Sequence, residues 1–353
     1  MSVRPPVAEW RWIESFAAQF KVNGVTPGME CIVLSESASR PDLVETSLLA
    51  LESLGAKPFE VVMRTPANPG PVAIRSTGTT LALNGLQGAI GSLSSVPFVV
   101  DCTVEGMLHA KELGPILSSG TSILMVSLEH PEVYERMRHD PVMAERVTAA
   151  HELMKRSTTM RATSEFGTDL TVELAGAFTA GSTGVISGPG SIAHWPGGLV
   201  LAFPAKGTVN GTVVLAPGDI NLTFKHYITE PITMRIENDY VVEIKGNGYQ
   251  AELMRSYLEA FDADAYATSH VGFGMNTSAR WDFLELYDRS DINGTEARAF
   301  GGNFLFSTGA NENADRFTAG HFDLPMRNHS VWLDEHQVVD KGTLVGVAAG
   351  KAN

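Results

Sequence analysis

The feature that most restricts the fold is an alternation, in the first half of the chain, between short apolar runs and segments of helical period. Cys31 to Ser35, Phe59 to Met63, Pro97 to Val100 and Ser122 to Val126 are apolar runs of strand length. Around them, Trp10, Ile13, Phe16, Ala17 and Phe20 form a helical stripe. Pro41-Asp42 opens a helix with Leu43, Leu48, Leu49 and Leu51 on its apolar face, and Gly55 ends it. Such alternation predicts a parallel sheet with crossover helices. No G-x-G-x-x-G or phosphate-binding loop follows any of these strands, so the likeness to nucleotide-binding domains stops at architecture.

Asp140 to Ser157 reads as a connecting helix, with Pro141 in its first turn and Lys155-Arg156 near its end. Beyond it the chain is richer in strands. Leu199 to Pro204, Gly211 to Leu215 and Ile232 to Ile244 are β-like, with Asn238-Asp239 placed as a two-residue hairpin turn. Tyr249 to Phe261 is an amphipathic helix. A chain of 353 residues suits two domains. The expected fold class is α/β: an N-terminal parallel-sheet α/β domain over 1–157, then a strand-rich α+β metal-binding domain over 158–353.

Composition narrows the partners. A net charge of -14 argues against nucleic acid and against an anionic membrane surface. No apolar run is long enough to span a bilayer, and Met1 to Trp12 carries no secretory h-region. Cys31 and Cys102 lie inside apolar runs and read as buried thiols of a cytoplasmic protein rather than a disulfide pair.

The chemistry concentrates near the C-terminus. In His321-Phe322-Asp323, residues i and i+2 of a strand share a face, so both side chains reach one point while Phe322 turns to the core. His270 lies about fifty residues earlier, in Ser269-His270-Val271-Gly272-Phe273-Gly274, and would join them from another element. Two imidazoles and one carboxylate are the donors of a non-haem Fe(II) facial triad, which leaves the opposite face of the metal open. A strand-end His bonded to a carboxylate is the plainer reading. With 10 His and 40 acidic residues, an H-x-[DE] triplet arises about once from composition alone. His130-Pro131-Glu132 is such a decoy, at a helix start. Arg298, in apolar Ala297-Arg298-Ala299-Phe300, needs a partner: an internal carboxylate or an oxygen of an anionic substrate.

Ser269 to Gly274, then Asp288-Arg289-Ser290-Asp291, Ala297 to Phe300, Gly302 to Gly309 and His321 to Asn328 together resemble the 2,5-dihydroxypyridine 5,6-dioxygenase family. The resemblance is strongest from Ser269 to Asp334 and continues through Gly218-Asp219-Ile220 and His194-Trp195-Pro196 to His109. It implies an extradiol-like enzyme that opens a hydroxylated pyridine with O₂. Fe(II) would be held by His270, His321 and Asp323, with no organic cofactor. It also implies Arg298 on the substrate, His109 and His194 as proton-handling catalytic residues, and a homo-oligomer. Lys225 and His226 read as structural. One departure stands out: related enzymes carry an acid about a dozen positions before His-Trp-Pro, whereas 175–193 here is rich in Gly, Ser and Thr and has no Asp or Glu. That gap implies a ring with different substituents. The alternative is a metal-dependent hydrolase like the thermophilic leucyl aminopeptidases, which bind two metals and need more carboxylates.

Overall fold

The computed structural model describes residues 8–67, 80–126 and 128–351, so the first seven residues of the stretch read for a leader lie outside it. The N-terminal part runs α1 (Trp10–Val22), β1 (Glu30–Glu36), α2 (Pro41–Ser53), β2 (Lys57–Met63), α3 (Gln87–Leu93), β3 (Phe98–Asp101), α4 (Leu113–Ser118), β4 (Ser122–Val126), α5 (Pro131–Arg136) and α6 (Pro141–Arg156). β1 pairs in parallel with both β2 and β3, and β3 with β4, as buried apolar runs favour. Alternate residues serve opposite faces. Cys31, Val33, Val100 and Leu124 pack with Phe16 and Phe20 of α1, while Ile32, Leu34, Val99 and Ile123 pack with Leu93 and Ile116. Cys31 and Cys102 are buried free thiols. The decoy His130 sits just before α5, its Nδ1 accepting the Glu132 amide at 3.3 Å and its ring stacked on Tyr287.

The second part begins with β5 (Thr159–Ser164), β6 (Asp169–Glu173) and β7 (Phe178–Ser182). The chain then crosses back: β8 (Ile192–Trp195) pairs in parallel with β4 and completes a sheet of order β2-β1-β3-β4-β8 among the described residues. A division after Ser157 is therefore not a clean cut, because β8 belongs to the first sheet. The signal is short, only Ile-Ala-His-Trp between glycine-rich turns, and the expected strand list passes over it.

The chain continues with β9 (Leu199–Phe203), β10 (Val209–Leu215), β11 (Ile220–Asn221), β12 (His226–Tyr227), β13 (Ile232–Glu237), β14 (Tyr240–Lys245), α7 (Tyr249–Glu259) and β15 (Thr268–Gly274). Then come α8 (Phe283–Leu286), α9 (Thr295–Ala299), β16 (Phe304–Thr308), β17 (Phe322–Met326), β18 (His329–Leu333), β19 (His336–Asp340) and β20 (Thr343–Leu344). Two large antiparallel sheets result, β14-β13-β10-β6-β5-β18-β19-β20 and β17-β16-β15-β9-β7, with β11 and β12 paired as a separate two-stranded one. They share one core with α6 and α7, to which the shorter sheet contributes Val200, Ala202, Val271, Phe273, Phe304, Phe306, Phe322 and Leu324. Phe322 is fully buried against Tyr257 and Phe224. By the period of two, the other face of the same strands carries Leu201, Phe203, His270, Leu305, Ser307 and Asp323.

Gly272 and Gly274 share that second face. A Cβ on Gly272 would overlap the Val200 carbonyl, and one on Gly274 would overlap the Phe300 carbonyl and the Ala299 backbone. The segment that follows α9 therefore lies directly on β15, through bridges Gly274↔Gly301 and Asn276↔Phe300. Gly274→Ala should cost about 1–3 kcal/mol, the usual penalty for overpacking, read as a lower urea midpoint. An unchanged midpoint would show that this segment moves aside freely.

Candidate active site

Three adjacent strands place the three candidate ligands. His270 is on β15, Asp323 is on β17, His321 immediately precedes β17, and β16 runs between. Nε2 of His270 and Nε2 of His321 each lie 3.3 Å from Oδ1 of Asp323. The strand between contributes Ser307, opposite Asp323 in the ladder. Its hydroxyl donates to Asp323 Oδ1 and lies 3.0 Å from His270 Nε2.

Among the described residues no group of three or more His, Cys, Asp or Glu side chains is arranged to hold a metal ion; these donors contact one another instead. Hydrogen counting tests whether they suit a cation. The Ser269 hydroxyl donates to the Ala310 carbonyl at 2.5 Å, so its 3.1 Å contact with His270 Nδ1 takes the ring's hydrogen. Burial lowers the pKa of His270, against the pull of Asp323, so the ring is neutral and Nε2 keeps a lone pair. That lone pair faces a carboxylate oxygen and a hydroxyl whose one hydrogen is already given. Burial would push Asp323 up, but the charge of Arg298 and the two imidazoles outweigh it and hold the carboxyl well below its usual range. Neutral imidazole and ionised carboxylate are the forms that bind a metal. The donor set fits one.

Of the two partners open to Arg298, the internal carboxylate is the one observed. Its Nε donates to Asp323 Oδ2 at 2.6 Å and its Nη1 to Asn293 Oδ1 at 2.7 Å. Asn303 fixes the backbone here. It accepts from the Gly274 amide at 2.5 Å and donates to the carbonyls of Ala297 and Arg298 at 2.6 and 3.0 Å. Glu129, just beyond β4 and fully buried, receives the Gly294 and Thr295 amides at 2.7 and 2.6 Å, tying the start of α9 to the first sheet. Burial pushes its carboxyl up to about 7.

His109 and His194 come from the N-terminal sheet. His109 is half-buried in the loop after β3, 3.8 Å from Glu312 and in edge contact with Phe203, whose ring also packs on His270 at 5.2 Å. Burial, with His270 and His321 close by, lowers its pKa to about 4. His194, on β8, sets Nδ1 3.3 Å from the Pro196 carbonyl and Nε2 3.4 Å from Thr295 Oγ1. Burial and then Arg298 lower its pKa to about 4. Lys225, read as structural, is buried with Nζ on the Ile292 carbonyl, and His226 stacks on Phe224.

Ser307, Ser269, Asn293, Asn303, Glu129 and Phe203 escaped the sequence reading. Ser307 had a usable signal, a polar residue in phase with Leu305 within an apolar strand. The others act through contacts distant in sequence, and Glu129 was masked by the decoy triplet beside it.

The folded pKa of His194, about 4, lies below its ordinary 6.5, so unfolding between these values takes up a proton. The stability from a neutral ring is complete above about pH 6.5 and declines as pH falls toward 4. In urea denaturation across this range, wild type should lose ground to His194→Gln as pH falls. A pH-independent difference would show that His194 protonates freely within the fold.

The 2,5-dihydroxypyridine 5,6-dioxygenase family model matches residues 11–346. The 2,5-dihydroxypyridine 5,6-dioxygenase of Pseudomonas putida is 35% identical over 98% of this chain and 99% of its own length. A solved structure of the 2,5-dihydroxypyridine dioxygenase from that species superposes with TM-score 0.89, covering 97% of this chain and 99% of the other. AmpT from Thermus thermophilus, at 15% identity and TM-score 0.62 over 95% of this chain and 99% of the other, shares the fold alone. With the family model matching almost the whole chain and a 35% identical relative covered from end to end, the chain belongs to the 2,5-dihydroxypyridine 5,6-dioxygenase family.

Proposed function

We propose that this protein is an Fe(II)-dependent, extradiol-like dioxygenase that opens the ring of 2,5-dihydroxypyridine or a close relative, placing both atoms of O₂ in the product. The observation that carries the reading is the meeting of His270 and His321 Nε2 on one oxygen of Asp323, in a chain that matches the family over nearly its full length. His270, His321 and Asp323 would hold the iron, which when bound supplies the electron transfer that lets O₂ react with an aromatic ring. The rest is positioning and proton management. Phe203, on the face of β9 beside His270, gives a planar ring an apolar wall that limits water. His109 and His194 are neutral at pH 7, because their pKa values are about 4. Each offers a ring nitrogen to a substrate hydroxyl. His194 has Nδ1 on the Pro196 carbonyl, which makes Nε2 its accepting atom; Nε2 lies 3.4 Å from Thr295 Oγ1, a contact that a substrate hydroxyl would replace. His109 reaches the same space from the first sheet and would take the hydroxyl proton as the ring is oxidised.

A two-metal hydrolase is less well supported. It needs bridging carboxylates, and Asp323 is the acid that meets both imidazoles. No helix among the described residues is long and apolar enough to cross a membrane, which accords with a small polar substrate.

Anaerobically purified protein should carry about one Fe(II) per chain, and Asp323→Ala or His270→Ala should lose both iron and O₂ uptake. Two tightly held zinc ions with aminopeptidase activity would overturn the reading. For the substrate, a spectrophotometric screen of hydroxylated pyridines should find ring cleavage, with 2,5-dihydroxypyridine the leading candidate. Ser182 is on β7 with its hydroxyl 3.4 Å from the His194 carbonyl, so Ser182→Glu should change the ranking of rings. Unaltered activity ratios would remove this strand from substrate selection, and catechols cleaved faster than every pyridine would overturn the substrate class.

A further inference from the structure

The two oxygens of Asp323 have separate partners. Oδ1 faces both imidazoles at 3.3 Å and receives the Ser307 hydroxyl, whereas Oδ2 accepts from Arg298 Nε at 2.6 Å. We propose that Arg298 is a positioning residue that confines Asp323 to ligation through Oδ1 alone. The proposal rests on the metal-centre reading above and changes the role expected for Arg298, from contact with substrate to control of the ligand.

The contact is built to hold. The Arg298 and Asp323 side chains are 12% and 3% exposed, so water offers little competition for the ion pair. The guanidinium is steered from its other end by Asn293 Oδ1 at 2.7 Å. Its backbone carbonyl is held at 3.0 Å by Asn303, whose Oδ1 also takes the Gly274 amide on β15. Arg298 is thus referenced to the strand that carries His270, and through Oδ2 it sets the carboxylate on the strand next but one. For Oδ2 to turn toward a cation between the imidazoles, this charge-assisted hydrogen bond would have to break inside a buried site.

Coordination number gives this restraint a consequence. An iron held by two imidazoles and one carboxylate oxygen would keep an open face for substrates. A second carboxylate oxygen would compete with substrate and O₂ for that open face. A planar fork suits the task because it fixes direction as well as charge, which an ammonium does not.

The test is anaerobic titration of metal-free protein with Co(II). On protein carrying isotope-labelled aspartate carboxylates, the infrared difference spectrum then reports one-oxygen against two-oxygen ligation. Wild type should take up one Co(II) per chain and show the wide carboxylate splitting of a one-oxygen ligand. Arg298→Gln should still bind Co(II) with a narrowed splitting, and Arg298→Lys should recover part of the wide splitting. Asn293→Ala removes only the anchor and keeps the test usable if Arg298→Gln fails to fold; it should narrow the splitting less. Identical splitting in wild type and every folded variant overturns the proposal while leaving the metal centre standing. Wild type that takes up no Co(II) overturns the metal-centre reading and this proposal with it.

Discussion

A carboxylate 2% exposed to solvent has to be neutralised from within the protein, and Asp323 sets that demand for the whole site. Its partners arrive from neighbouring strands and from α9, so each must be held by something else. Ser307 is fixed by the ladder between β16 and β17. Arg298 is fixed by α9, which is pinned at one end by Glu129 and at the other by Asn303 and the close approach at Gly274. Because Glu129 follows a strand of the first sheet, compensation of one charge in the second part draws on the architecture of the first. The same dependency explains why a short helix of five residues is buried so well: Thr295, Glu296, Ala297 and Ala299 are all inaccessible.

The period-two logic of strands carried the sequence reading furthest. It put His321 and Asp323 on one face and Phe322 in the core, as the structure has them, and the four apolar runs of the first half became four parallel strands. The hairpin at Asn238-Asp239 formed without glycine, with both residues at positive φ. Asp239 also accepts the amides of Gly207, Thr208 and Val209 and pairs with buried Arg316. Here a turn residue serves as a distant anchor, which local propensity has no means of signalling. Arg298 was legible as a charge in need of a partner, and the fold supplies the internal one, Asp323. β8 was not legible because four residues bounded by turns carry too little periodicity to declare a strand, let alone one that returns to an earlier sheet.

Under the proposed function, the strand left at the edge is the one placed to select the ring. β7 closes the shorter sheet, pairing with β9 through Phe178↔Phe203, Ala180↔Leu201 and Ser182↔Leu199. Alternation gives these three β7 residues the face that Phe203 shares with His270, while Thr179 and Gly181 turn to His151 on α6. An edge strand is tied on one side alone, so its side chains vary at little expense to the core. His270, by contrast, sits on β15, which is paired on both sides, and Asp323, on the opposite edge strand β17, is held by Arg298 and Ser307. The fold thereby separates two kinds of sequence change. Substitution at Ala180 or Ser182 alters the wall of the site and leaves its charge balance intact. Substitution at Asp323, Ser307 or Arg298 disturbs the burial of a charge on which several elements depend. Under the proposed function, an acid introduced within 175–193 falls in the first group and would act on the choice of ring rather than on the charge balance around Asp323.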